Sequence, residues 1–165
     1  LIFRLAVHSK AQNMFVLGAN LGITTAYLAK ANLQANLIAM EECSATANIA
    51  NQVFKELDLT NVLLQLGNFE LSLPKVVNET KVLDLVYIDG RYTKETILNY
   101  FNCCLPKFNE HSLLIISDIN RSEDIKAAWA EIKNHPQVTV TIDLFWLGLV
   151  YFKKGQAKEH FKLKF

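Results

Sequence analysis

The stretch "FVLGANLGITTAYLAK", Phe15 to Lys30, joins a short apolar run to a helix-forming segment through two glycines, Gly18 and Gly22. A strand that meets a helix over glycines has two common physical reasons. Missing side chains let the helix pack close on the strand, or they let a ligand lie against bare backbone. The helix start also presents backbone N–H groups that suit a carboxylate or phosphate. A G-x-x-x-G pair alone does not choose between these readings.

Outward from this joint, strand-like and helix-like segments alternate. Apolar runs at 14–18, 36–41, 61–67, 83–90 and 112–119 read as strands. "LDLVYIDG" (83–90) is apolar on both faces, as a strand covered by helices must be. Between the runs lie helical patterns. Ile23 to Asn32 is one. A second is capped by Ser44 and repeats Ile49, Val53 and Leu57. A third is capped by Thr93, carries Ile97, Phe101 and Leu105, and ends at Pro106. A fourth begins at Ser122, buries Ile125, Ala128, Trp129 and Ile132, and stops at Pro136. The segment around Pro74 reads as a loop. "VTVTIDLFWLGLVYFKK" (138–154) reads as two strands joined near Leu144–Leu147, an antiparallel hairpin at the sheet edge. Strand–helix–strand units of this kind predict an α/β fold, a parallel sheet with helices on both faces. The lysine-rich tail after Phe152 reads as a solvated terminus.

Composition narrows the function classes. The chain has 165 residues, enough for one domain over 1–165, with 51% hydrophobic and 20% charged residues. A net charge of +1 gives no field that would draw nucleic acid, and no apolar run reaches the roughly 20 residues of a membrane span. Cys43, Cys103 and Cys104 are odd in number, and the last two are adjacent. This fits reduced thiols and a cytoplasmic location. Leu1 is not an initiator methionine, which leaves room for a preceding segment, and substrate-binding pieces could belong to it. The four histidines have no patterned partners.

In open α/β sheets, ligands bind beyond the carboxyl ends of the strands. Here those ends are polar or glycine: Gly18, then Glu41 with Glu42 beside it, Asn68 in "GNFE", Asp89 and Asp118. Glu41 lies about 20 residues past the glycines, where nucleoside-binding folds place an acid for ribose hydroxyls. The plainer readings are a solvated Glu pair and, for Asp89 and Asp118, caps of the helices that follow.

The motifs "VLGANLG", "AMEEC", "LGNFE", "DLVYIDGRYT" and "IISDINRS", in this order and followed by a closing hairpin, carry a more specific likeness. The chain resembles class I S-adenosylmethionine-dependent methyltransferases. It is most similar to bacterial small-molecule O-methyltransferase-like domains, whose fourth strand ends in Ile-Asp-Gly. The resemblance implies a Rossmann-like three-layer sandwich with a seven-stranded, mostly parallel sheet and the last strand antiparallel. It implies S-adenosyl-L-methionine as cofactor, held by Gly18, Ala19, Asn20 and Gly22 around its methionine part. Glu41, with Glu42 adjacent, would hold the ribose. Asn68 and Phe69 would lie near adenine, and Asp89 near the transferring methyl. Asp89, Asp118 and Tyr92 would serve catalysis: the acids as base, Tyr92 to orient a small-molecule substrate.

Three positions depart from that family. Val16 stands where relatives carry an acid for the cofactor's ammonium. Tyr92 stands where they often carry His. Ser117–Asp118 replaces the Asp–Asn or Asp–Asp pair of metal-dependent relatives, which leaves Asp89, Asp118 and an uncertain Asn120. A hard divalent cation wants more oxygen ligands, so no metal is expected. The departures motivate a rival, an inactive relative that keeps a nucleoside ligand. A dinucleotide-dependent oxidoreductase is the other rival. It would need G-x-G-x-x-G, but Asn20 and Ile23 occupy the second and third glycine places. Trp146, in the hairpin, stays open between surface, homodimer contact and acceptor pocket.

Overall fold

The computed structural model describes residues 1–90 and 92–164. Its elements run α1 (Ile2–Ser9), β1 (Asn13–Leu17), α2 (Ile23–Ala31), β2 (Asn36–Glu41), α3 (Ser44–Glu56), β3 (Val62–Leu66), α4 (Phe69–Glu79) and β4 (Leu85–Ile88). There follow α5 (Lys94–Cys104), β5 (Leu113–Ser117), α6 (Glu123–Asn134), β6 (Val140–Asp143), β7 (Leu147–Tyr151) and β8 (Glu159–Lys162). The strands form one sheet in the order β3-β2-β1-β4-β5-β7-β6-β8. β7 runs antiparallel to both β5 and β6, and β8 pairs parallel with β6.

Period-two alternation along the strands sorts side chains onto two faces. Phe15 and Leu17 join Leu73, Ile97, Phe101 and Trp129 in a core under α4, α5 and α6. Met14 and Val16 join Ala6, Leu28, Ala50 and Phe54 in a core under α1, α2 and α3. The result is the expected three-layer, Rossmann-like α/β sandwich. Among the described residues no helix is long and apolar enough to cross a membrane.

Several expectations need correction. The sheet has eight strands rather than seven, and the antiparallel strand is the seventh, β7, while the last, β8, pairs parallel with β6. The lysine-rich tail supplies β8, whose side chains stay exposed while its backbone pairs with β6. The segment around Pro74 is helical, not a loop: α4 runs through it. Asn68 opens that helix by accepting the Leu71 amide at 3.3 Å, and four apolar side chains anchor it, which together outweigh the hydrogen bond that proline cannot donate. Cys43, not Ser44, holds the cap position of α3, and Ala47, Ala50 and Phe54 form its buried face. Ile49 and Leu57 of the expected stripe are exposed, because α3 packs close on α2 through small residues. The opening residues form α1, which sequence reading left unassigned.

Candidate active site

The chain order reverses between β1 and β4, which sit side by side while β2 and β5 lead away from them in opposite directions. Such a switch point opens a crevice at the strand ends. Gly18 and Asp89 end these two strands, and the Asp89 amide donates to the Leu17 carbonyl at 2.8 Å.

The loop after β1 is held by its neighbours. The amides of Gly18 and Ala19 both donate to the Met40 carbonyl, at 3.1 and 2.8 Å. Gly18 has φ +94° and Gly22 φ +85°, both in the left-handed region that favours glycine. A Cβ on Gly18 would fall 1.6 Å from the Asp89 carbonyl oxygen and 3.0 Å from the Tyr92 hydroxyl. A Cβ on Gly22 would press on Ala50 and Phe54 of α3, within 3.1 Å. The packing answer to the opening question therefore holds at both glycines. The open backbone at this rim is Gly67, where an added Cβ meets nothing within 4 Å.

Glu41 is the organising acid. It is 9% exposed and accepts three backbone amides: Asn20 at 2.9 Å on Oε2, and Glu42 and Cys43 at 3.0 Å on Oε1. Oε1 is filled by two donors, while Oε2 keeps a lone pair for another donor. Glu42, which could be confused with Glu41 in sequence, accepts the Phe69 amide at 3.3 Å. Asn20, at φ +49°, links the two halves of the site: its backbone reaches Glu41, and its side-chain amide reaches Asp89 Oδ2 at 3.3 Å.

Asp89 does not cap the helix after it, since Thr93 does that. Its carboxylate accepts the Ser117 hydroxyl at 2.9 Å on Oδ1. Burial raises its pKa, the Ser117 bond opposes this, and the nearby Asp118 charge adds to the rise. Ser117 thus orients Asp89 from the position where metal-dependent relatives would carry an acid. Asp118 is no cap either, since Ser122 starts α6. It sits at φ +54°, with its amide donating to the Trp146 carbonyl at 2.6 Å. Among the described residues, no three His, Cys, Asp and Glu side chains gather as a metal site would require.

Tyr92 lies over Gly90 and Gly18 and stacks edge-on against Tyr100, with centroids 5.2 Å apart. Phe69 completes the aromatic group, at 6.4 Å from Tyr92 and 5.9 Å from Tyr100. Burial first, then Tyr100 and the acids Glu41, Glu42 and Asp89, push the Tyr92 hydroxyl well above its ordinary range. Val16 is fully buried within the α1–α3 core and contributes nothing to the rim. Asn68 spends its side chain on the α4 cap, so Asn68→Ala should cost about 1 kcal/mol in denaturant unfolding.

Sequence reading missed Ser117 as a positive partner of Asp89, and it missed Tyr87 and Tyr100. Tyr87 was detectable as the one residue with a polar tip inside "LVYI"; burial pushes its hydroxyl up to about 12.

Fold and site together define a doubly wound α/β protein with its polar groups gathered at the sheet's switch point. A methyltransferase-domain family profile matches residues 15–119, and the chain belongs to that family. No curated protein matches it. Among solved structures it is similar to an O-methyltransferase from Bacillus cereus in complex with SAH. That pair has 20% identity and TM-score 0.76, covering 91% of this chain and 78% of that one. It is similar to the O-methyltransferase TomG from Streptomyces achromogenes, involved in tomaymycin synthesis and bound to SAM, at 16% identity and TM-score 0.77, covering 92% and 78%. It is also similar to the SAH-bound methyltransferase PaMTH1 of Podospora anserina, at 13% identity and TM-score 0.78, covering 93% and 76%.

Proposed function

We propose that the chain, acting as one domain, is an S-adenosylmethionine-dependent methyltransferase that methylates a hydroxyl oxygen of a small molecule without a metal. The observation that carries this is Asp89. It is a half-buried carboxylate at the β1–β4 switch point, oriented by Ser117 and Asn20, and burial raises its pKa above the ordinary carboxylate value. Family membership and the SAM- and SAH-bound neighbours support the cofactor.

The donor set fits that cofactor. Oε2 of Glu41 has a lone pair for a ribose hydroxyl, and three backbone amides fix its direction. Open backbone at Gly67, with Asn68 and Phe69 beyond it, suits a flat base. In this reading the loop of Gly18, Ala19, Asn20 and Gly22 runs between Glu41 and Asp89 and would hold the methionine part, with the Tyr92 hydroxyl 3.0 Å from where a Gly18 Cβ would stand.

When bound, the cofactor supplies a methyl group already activated on a sulfonium. The protein's part is placement and proton handling. Asp89 accepts the proton from the acceptor hydroxyl as its oxygen attacks; Ser117 engages Oδ1 and Asn20 engages Oδ2, and Oδ2, which holds the longer of the two bonds, keeps a lone pair for that proton. Asp118 adds negative charge that keeps Asp89 basic. Tyr92, protonated, donates a hydrogen bond that orients the substrate.

Calorimetry tests the reading. S-adenosylhomocysteine should bind, and NAD should give no heat. Silence from S-adenosylhomocysteine, or heat from NAD, would overturn it. Glu41→Gln should weaken S-adenosylhomocysteine binding by about 1–3 kcal/mol, because one carboxylate oxygen becomes a donor facing backbone donors. An unchanged affinity would remove Glu41 from the site.

A further inference from the structure

We infer that β3 is a docking edge for a second copy of this chain, the two β3 strands pairing antiparallel about a two-fold axis through Leu64. The inference stands apart from the methyltransferase reading and does not need it.

The first observation is which backbone groups are free. β3 heads the strand order, so among the described residues its outer side pairs with no strand. The Leu37 amide donates to the Asn61 carbonyl at 3.1 Å, and the Gly67 amide to the Glu41 carbonyl at 3.0 Å. Leu37 stands beside Val62, Ala39 beside Leu64 and Glu41 beside Leu66. In a parallel ladder each residue bonds the two that flank its partner, so Asn61, Leu63, Gln65 and Gly67 spend their backbone groups on β2. Val62, Leu64 and Leu66 therefore point theirs outward. A two-fold axis through Leu64 sets Val62 opposite Leu66 of the second copy and Leu64 opposite its counterpart. Every outward donor and acceptor then meets its complement, with one segment serving as both sides of an isologous contact.

The second observation is that this edge is unguarded. Sheet edges are kept from pairing by charges, proline or a bulge. The strand "VLLQL" has neither charge nor proline, and Asn61 and Gly67 at its ends are neutral. The opposite edge differs: β8 carries Glu159, His160 and Lys162, with Lys158 and Lys164 close by. Leu63 and Leu66 are 57% and 58% exposed, on opposite faces of β3. Self-pairing through Leu64 sets no like charges opposite one another.

The third is shape. Gln65 and α4 border a groove of about 410 Å³, with Leu71, Ser72, Lys75 and Val76 on its helix side and Gly67 and Asn68 at its rim end. The same two-fold register puts Leu63 of the second copy opposite Gln65, on the face that borders this groove. The projecting leucine and the recess both belong to this chain, and the axis supplies each of them twice. Leu71, 72% exposed in the groove wall, loses water in the same step. Main-chain pairing supplies affinity in such strand additions, and the side-chain recess supplies the choice of partner.

Sedimentation velocity between roughly 1 and 200 μM chain tests the inference. The protein should pass from monomer to dimer across that range. Leu63→Lys should stay monomeric throughout, with the melting temperature of the dilute wild type, because that side chain is more than half exposed. Tyr27→Lys, on the exposed face of α2, should dimerise as the wild type does. Amide exchange followed by NMR reads the edge itself and needs no substitution. At high concentration the Val62, Leu64 and Leu66 amides should exchange at least about tenfold more slowly than in dilute protein, while Leu63 and Gln65 stay slow in both. A chain that is monomeric at every concentration would overturn the inference. So would a dimer that survives Leu63→Lys or is lost in Tyr27→Lys, since another face would then carry it. Outward amides already protected in the monomer would also overturn it, because a segment of the same chain would then cover the edge.

Discussion

Asp89→Asn should lower turnover by about a hundred- to ten-thousandfold while leaving the fold intact and, at neutral pH, as stable or more so. Asn keeps the shape and can still accept the Ser117 hydroxyl on Oδ1; its Nδ2 replaces the oxygen that accepts from Asn20, a solvent-exposed bond of 3.3 Å, so the main loss is the proton-accepting role. The stability half follows from the direction of the pKa shift. Burial raises the Asp89 carboxyl above its ordinary 3.8, so between that value and the raised one the folded chain binds more protons than the unfolded chain. Stability attributable to this group therefore falls as pH rises through the raised value and stays lower at neutral pH. The variant is free of that penalty. Its melting temperature should equal or exceed the wild type's at pH 7, with any gain shrinking as pH drops toward ordinary carboxylate values. In the wild type, kcat/KM should fall on acidification through the raised pKa, and this limb should vanish from the residual activity of the variant. Activity within about twofold of wild type would remove Asp89 as the base. A melting temperature well below wild type at neutral pH would mean that its main role is to hold Ser117 and Asn20.

Much of this site was legible because strand ends in an open α/β sheet are fixed by where apolar runs stop. "LDLVYIDG" ends at Asp89, and "NLIAME" ends at Glu41. A parallel sheet then brings the ends of neighbouring strands to one rim, whatever the loops do. The helix caps at Thr93 and Ser122 were legible for the same local reason: a hydroxyl side chain accepts an amide two or three residues on.

What sequence could not give was long-range occupancy. Glu41 looks free in sequence, but three amides from two segments converge on it. Ser117 looks like a lost acid, yet β4–β5 pairing puts its hydroxyl on Asp89, 28 residues away. Pro74 suggested a loop because proline weighs heavily in local reading, while the burial of Phe69, Leu73, Val76 and Val77 is a tertiary effect. The tail after Phe152 looked solvated because β8 contributes only backbone to the sheet, and backbone pairing leaves no hydrophobic pattern.

The other large effect should come from Gly18→Ala, which is expected to cost about 3–5 kcal/mol in denaturant unfolding, enough to compromise the fold. Two separate causes act at this position. At φ +94°, any L side chain is strained. The added methyl would also overlap the Asp89 carbonyl oxygen, at 1.6 Å. That oxygen belongs to backbone at the end of β4, and the Asp89 amide is tied to Leu17, so it has no rotamer by which to yield. Relief requires β1 and β4 to part at the switch point, which would pull Asp89 away from Ser117 and Asn20. Gly22→Ala, strained at φ +85°, meets the Phe54 ring at 2.9 Å and the Ala50 Cα and methyl at 3.0 and 3.1 Å, contacts far less severe than the 1.6 Å overlap at Gly18, and should cost less. Gly67→Ala meets no neighbour; with φ +138° its cost is conformational only. The predicted order of destabilisation is thus Gly18, then Gly22, then Gly67. The order for loss of S-adenosylhomocysteine affinity should differ, with Gly67→Ala losing more binding relative to its stability cost, because its open backbone faces the proposed base site. If affinity losses merely tracked stability losses across the three variants, Gly18 and Gly22 would be packing joints alone and Gly67 a backbone turn alone, and the cofactor strip would have to be drawn elsewhere on the rim.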